Sequence, residues 1–283
     1  MGGDGESRWL GAPARRSLVR AVRRDRPIPI LLYHSISDDP DPWIRRFAVT
    51  PRTFARHLDL AAASGATTLT VSAFADALAR GPVAPPERPV LITFDDGFAD
   101  FRDAALPALL ARDMAATLYA TTGFLGRRGP GGAPMLDWRD LPDMAWGSGA
   151  VEIGGHTHSH PQLDIVGPAR AREEITRCRA LLEDVLGAAP RSFAYPHGYS
   201  TAAVRAMVRE AGFDAACAVR NAFSSAGDDR FAMARLTVRA DTPDERIEAW
   251  LRGRGAPVAR RHEAVRTRAG RLARRARART RGS

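Results

Sequence analysis

Residues Pro89-Val90-Leu91-Ile92-Thr93-Phe94 form an apolar run almost without polar interruption, and it stops at Asp95-Asp96-Gly97. A strand with one face in water alternates apolar and polar residues. A run without alternation fits a strand covered on both faces, as in parallel sheets flanked by helices. Similar short runs recur along the chain. They are Ile28–Tyr33, which ends at His34, then Ala116–Ala120 and Val151–Ile153, which leads through Gly154-Gly155 to His156. Ser192–Tyr195, Asp214–Val219 and Leu236–Val238 complete the set. Helical patterns fall between them. One opens at Thr50-Pro51, with Thr as N-cap and Pro at the first helical position. A second takes Ser72 as its cap and ends near Gly81. Others cover Phe101–Arg112, Asp137–Ala145 and Ala169–Leu186, and one starts at Thr201. This alternation predicts an α/β fold with a largely parallel sheet.

With 283 residues, 45% of them hydrophobic, the chain can build one substantial core. It has no apolar run of about 18 residues or more, so no transmembrane helix is expected. The basic N-terminus lacks the apolar segment of a secretory signal: after Arg15-Arg16 only Ser17-Leu18-Val19 precede Arg20. A cytoplasmic protein is therefore expected, with Cys178 and Cys217 as buried free thiols.

Charge is unevenly spread. The net charge is +10 and every basic residue is Arg. From Arg252 onward twelve Arg face one acid, Glu263, so the body is close to neutral. Val258, Val265 and Leu272 recur every seven residues; a helix after Pro257 would carry them as a narrow apolar stripe. Such a tail is either a solvated basic extension or a peripheral contact with an anionic membrane at its inner surface. Non-specific nucleic-acid contact is a third option, but the near-neutral body argues against a dedicated nucleic-acid enzyme.

The chemistry-bearing residues sit where the strands end: His34, Asp95-Asp96, His156 and His197. In parallel α/β barrels that is where catalytic groups gather. Asp-Asp-Gly alone is ordinary turn chemistry. Yet two adjacent carboxylates at the end of an apolar strand repel unless a cation accepts one, which leaves the other to act as a base. His156-Thr157-His158-Ser159-His160 supplies partners for that cation. His156 and His160, spaced i, i+4, share a side of a helical turn, and His158 points elsewhere, toward packing or a supporting role. Two His and one carboxylate leave an ion open to water and substrate.

Thr93-Phe94-Asp95-Asp96-Gly97 and the His156–His160 segment resemble the first two motifs of the polysaccharide deacetylase (NodB-homology, carbohydrate esterase) family. Phe193-Ala194-Tyr195-Pro196-His197-Gly198 resembles its third. Leu31-Leu32-Tyr33-His34 and the stretch Met135–His160 look like the branch that includes deacetylases of poly-N-acetylglucosamine type. The resemblance covers about residues 27–252. It implies a distorted (β/α) barrel as a catalytic domain over 27–252, with basic extensions at 1–26 and 253–283. It also implies a divalent ion, usually Zn2+, and hydrolysis of the acetamide of N-acetyl sugars in a polysaccharide or glycoconjugate precursor. By matched position Asp95 is the base, Asp96, His156 and His160 are the ligands, and the backbone amide of residue 197 faces the oxyanion, with Tyr195 and His197 at the substrate.

Three departures matter. The family's late Leu-x-x-His reads Leu236-Thr237-Val238-Arg239 here, and His34 is the expected replacement as general acid. Ala194 stands where many members have an Arg holding the base; Arg235 is the candidate substitute, a surface role the alternative. His197 replaces the usual Tyr or Trp. Trp138, ahead of the second motif, either lines the sugar pocket or packs in the core. Two other functions stay open on this fold: a catalytically silent sugar-binding module, and a hydrolase of cyclic amides.

Overall fold

The computed structural model describes residues 26–79, 86–147 and 149–259. The strands are β1 (Ile30–Tyr33), β2 (Ser35–Ile36), β3 (Ala48–Val49), β4 (Thr67–Leu69), β5 (Pro89–Phe94), β6 (Ala116–Ala120), β7 (Val151–Gly155), β8 (Ser192–Ala194), β9 (Ala215–Val219) and β10 (Met233–Thr237). Helices α1 (Pro51–Ala63), α2 (Val71–Ala79), α3 (Leu106–Leu110), α4 (Asp140–Pro142), α5 (Pro168–Leu186), α6 (Ala202–Glu210) and α7 (Asp244–Leu251) surround them. Seven parallel strands close a ring in the order β1-β10-β9-β8-β7-β6-β5, and β5 returns to β1 through Ile30↔Leu91 to Tyr33↔Phe94. The expected distorted (β/α) barrel, with fewer than eight regular units, is therefore the fold, and its ring has seven strands.

The β5–β6 seam is irregular. β4 pairs with the first half of β5 (Thr67↔Pro89, Leu69↔Leu91), and β6 pairs with its end (Thr93↔Thr117, Phe94↔Leu118). Both overlap residues of β5 that already pair with β1, so both lie on the opposite edge. β4 is thus a wedge at the lower half of the seam. Threonine hydroxyls complete the bonding there. Thr68 Oγ1 accepts from Ala115 N, and Thr117 Oγ1 accepts from Val71 N, both at 2.9 Å. This satisfies amides that a regular ladder would otherwise have paired.

Alternate strand residues serve two cores. Ile30, Leu91, Tyr119, Cys217 and Met233 fill the barrel, and Val71 and Phe74 of α2 plug its lower end. Leu31, Tyr33, Ile92, Phe94 and Leu118 face outward against α1 and its neighbours. Ile175, Phe193, Tyr195, Val208 and Phe213 form the corresponding layer under α5 and α6. Both cysteines are free and buried, as expected.

Local chemistry explains where the elements differ from expectation. Thr50 caps α1 as expected, accepting from Thr53 N at 3.1 Å. Thr70, not Ser72, caps α2, accepting from Ala73 N at 3.2 Å; the Ser72 amide is taken by Glu152 Oε2 at 2.9 Å. The helix expected over Phe101–Arg112 begins as a wide π-type turn at Phe101–Ala105. Pro107 follows, and its missing N–H removes the bond to Asp103. β10 starts three residues before the expected Leu236 because it includes a fully buried Arg235, which periodicity reads as surface. After Pro257 the chain is not helical where described: Val258 forms a parallel bridge with Phe223, and Ala259 N bonds Phe223 O at 2.9 Å. The rest of the Arg-rich tail and the N-terminal extension lie outside the described residues. Among those described, no helix is long and apolar enough to cross a membrane.

Candidate active site

Thr93 and Asp95 follow Leu91 at two-residue steps and so continue the inward face of β5 past its end. Asp95 N bonds Tyr33 O at 3.1 Å, fixing the Asp95 backbone to the end of β1. Arg235 projects into the barrel from β10 and meets Asp95 in a fork: Nη1 to Oδ1 at 2.6 Å and Nη2 to Oδ2 at 2.8 Å. Nη1 also donates to Thr93 Oγ1 at 3.3 Å and Nε to Ala218 O at 3.4 Å. The guanidinium lies 5.5 Å from the Tyr119 ring centroid. Planar, bidentate recognition of this kind is a property of Arg that Lys cannot reproduce. Burial pushes the Asp95 carboxyl upward. Arg235 and then His156 outweigh it, and the group ends below the ordinary carboxylate range.

Asp96 would face the opposite side if the strand continued. It instead adopts φ 77°, and Gly97 follows at φ 92°. This left-handed turn brings both carboxylates to one site. Asp96 Oδ1 stands 3.5 Å from His156 Nε2 and 3.2 Å from His160 Nε2. The three potential ligand atoms of Asp96, His156 and His160 lie within 4.8 Å of one another. His156 Nδ1 donates to Ala194 O at 2.7 Å, since a carbonyl can only accept. That bond sets the tautomer and leaves the Nε2 lone pair facing the cluster. Asp96 Oδ1 is buried and has no hydrogen-bond partner. A buried carboxylate oxygen without a donor, facing imidazole nitrogens, is the environment that a divalent cation satisfies. Burial lowers His156 to about 4, which favours its neutral, ligating form.

The histidine pair is not helical, contrary to expectation. Residues 156–160 form a loop in which Thr157 has φ 66° and His160 φ 60°. Two left-handed residues fold His160 back toward His156, and their ring centroids are 4.9 Å apart. The loop is pinned at several points. His160 N donates to Thr157 Oγ1 at 3.0 Å, and Gly123 N to His158 O at 2.7 Å. Glu174 of α5 accepts from His158 N at 3.1 Å and Ser159 N at 2.7 Å through Oε2, and from Ser159 Oγ at 2.5 Å through Oε1. His158 itself pairs with Thr122 Oγ1 at 3.0 Å.

The other candidates divide. His34 follows directly after β1, its ring 5.2 Å from Phe47, and its Nδ1 is buried without a partner. Burial lowers its pKa, while Asp96 and Asp95 are close enough to pull it back. His197 is exposed, has φ 57° and lies 4.8 Å ring to ring from His160. Tyr195 turns away: it is fully buried in the outer layer, and its hydroxyl donates to Phe231 O at 2.8 Å. Only its backbone borders the site, because β8 points that residue outward. Trp138 is half-buried and packs against the outer core cluster. Sequence reasoning missed Glu174. Its signal is an acid inside the apolar stripe Ala171, Ile175, Cys178 and Leu182 of α5.

A family model described as polysaccharide deacetylase matches residues 83–216. The chain is 25% identical over 219 residues to the candidate polysaccharide deacetylase YxkH of Bacillus subtilis (strain 168), covering 77% of this chain and 74% of that one. The structure of IcaB from Ammonifex degensii superposes with a TM-score of 0.68 at 28% identity, over 81% of this chain and 98% of that chain. The Streptococcus pyogenes deacetylase PplD in complex with acetate gives a TM-score of 0.69 at 23% identity, over 78% and 96%, and shares the fold.

Proposed function

We propose that this chain, which is similar over residues 83–216 to the polysaccharide deacetylase family model, is a metal-dependent N-deacetylase of that family that removes acetate from N-acetyl sugars of a polysaccharide or glycoconjugate precursor. The observation that carries this reading is the convergence of Asp96, His156 and His160 beside an Asp95 locked in place by Arg235. In this reading Asp96 Oδ1, His156 Nε2 and His160 Nε2 hold the ion. When bound, a divalent ion such as Zn2+ supplies Lewis-acid polarisation of the acetamide carbonyl and an acidified water.

The chain's own residues do the rest. Asp95 takes the proton from the attacking water. Arg235 keeps the Asp95 carboxylate ionised and fixed, with Oδ2 turned toward His156 at 3.7 Å. The backbone amide of His197, presented by a left-handed residue, donates to the developing oxyanion. His34 delivers a proton to the leaving amine. Because burial favours its neutral form, His34 must accept that proton before it can deliver it. The test is acetate release from a panel of free, nucleotide-linked and lipid-linked N-acetyl sugars, with a cyclic amide as comparison, before and after chelator treatment. Chelator-sensitive release from at least one sugar is the expected result. Turnover of the cyclic amide alone would assign a different amide hydrolase.

A further inference from the structure

Glu174 is an ionisable side chain, only 8% exposed, on the apolar face of α5. A charge there is costly unless hydrogen bonds compensate it. Its compensation comes from the loop that carries the histidines: two consecutive amides, His158 N and Ser159 N, and the Ser159 hydroxyl. These amides lie between Thr157 and His160, the two left-handed non-glycine residues of the loop. Such a conformation is strained for a residue with a side chain and persists only where surrounding contacts over-determine it. The other restraints on the loop include bonds with Thr157 Oγ1, Thr122 N and Gly123 N, the His158 ring bond to Thr122 Oγ1 and the His156 ring bond to Ala194 O. Glu174 contributes the charge-assisted ones, which are stronger. Arg170, 4.0 Å away, is too distant and too exposed to replace them.

We propose that Glu174 is a positioning residue that preorganises the metal site by clamping the 157–160 turn from beneath and so holding His160 in ligating geometry. The proposal rests on the reading of Asp96, His156 and His160 as ligands. It adds that ion affinity is set in part by a residue that touches neither ion nor substrate.

The experiment is a zinc titration of the metal-stripped full chain against a competing chromophoric chelator, using Glu174→Ala, Glu174→Gln, Ser159→Ala and His160→Ala. Glu174→Ala is expected to weaken zinc binding about 10- to 100-fold, the range for groups that orient a ligand. Glu174→Gln restores one oxygen acceptor without the charge and should fall between Glu174→Ala and the parent. Ser159 is exposed, so Ser159→Ala folds even if Glu174→Ala does not; it removes one of the three bonds and should weaken binding severalfold. Parent-like affinity in both Ser159→Ala and Glu174→Gln, with affinity lost in His160→Ala, would overturn the positioning role while leaving the ligand set intact. Parent-like affinity in His160→Ala would instead overturn the ligand set, and the positioning role with it.

Discussion

The barrel carries an arginine–carboxylate cluster at each end, and the two are close in geometry yet opposite in setting. At the lower end Arg191, just ahead of β8, reaches Asp76 of α2 at 2.9 and 2.7 Å and Asp214, ahead of β9, at 2.7 Å. At the upper end Arg235 grips Asp95 at 2.6 and 2.8 Å. Side-chain exposure separates them: 46% for Arg191, with 29% and 45% for its partners, against 0% and 5% for Arg235 and Asp95. Water screens the first cluster, so it contributes roughly 0–1 kcal/mol per pair. The second is shielded from water, and loss of either partner strands a charge. Hydrogen-bond length alone does not separate a fastening on the surface from a shielded pair at the candidate site; burial does.

The largest expected effect is on chemistry. Asp95→Asn keeps the shape and should retain bound metal, but turnover should fall by roughly 10²–10⁴, the usual contribution of a general base. Acetate release together with metal analysis checks this, and undiminished turnover would remove Asp95 from the base role. Next, Arg235→Met leaves the Asp95 charge buried and alone, and urea unfolding should show a loss of about 3–5 kcal/mol. Adding Asp95→Asn to that variant should recover part of the loss, since the stranded charge is then gone. Arg191→Met should cost no more than about 1 kcal/mol and should cost less still at high salt. A loss as large as that of Arg235→Met would break the comparison.

The smallest effect has a definite sign. His57 is buried between the Tyr33 hydroxyl at 3.1 Å and Asp244 of α7 at 3.4 Å. Burial lowers its pKa below 6.5 despite the pull of Asp244. Below pH 6.5 the unfolded chain therefore takes up a proton that the fold resists, so stability falls as pH drops from there toward the depressed folded value. Urea midpoints measured between pH 7.5 and 5 should fall less steeply in His57→Gln than in the parent. Parallel curves would remove His57 from the acid sensitivity.

The site was legible in the sequence to the extent that its residues sit at the ends of recognisable strands. Asp95-Asp96 after β5 and His156 after β7 follow from apolar runs and their abrupt polar ends. The pairing of His156 with His160 was expected from the wrong geometry, since a helical turn and a left-handed loop both bring residues i and i+4 together. Tyr195 shows the converse: a motif position does not say which way a side chain leaves a strand, and here it leaves outward to Phe231. β4 and the short α7 were not foreseen, being too brief for a periodic signal.

By itself, then, the sequence determined a parallel α/β fold, a resemblance to one family, and a row of acids and histidines at one end of its strands, because burial on two faces and motif order are written locally. The adjacent carboxylates and paired histidines with which the sequence first suggested a cation were part of that. Only the tertiary structure decided who holds them. Arg235 reaches Asp95 across 140 residues of chain, and Glu174 reaches under the histidine loop from the next helix. Such partners are chosen by ring closure and by the need to compensate buried charge, and neither leaves a periodic trace along the chain.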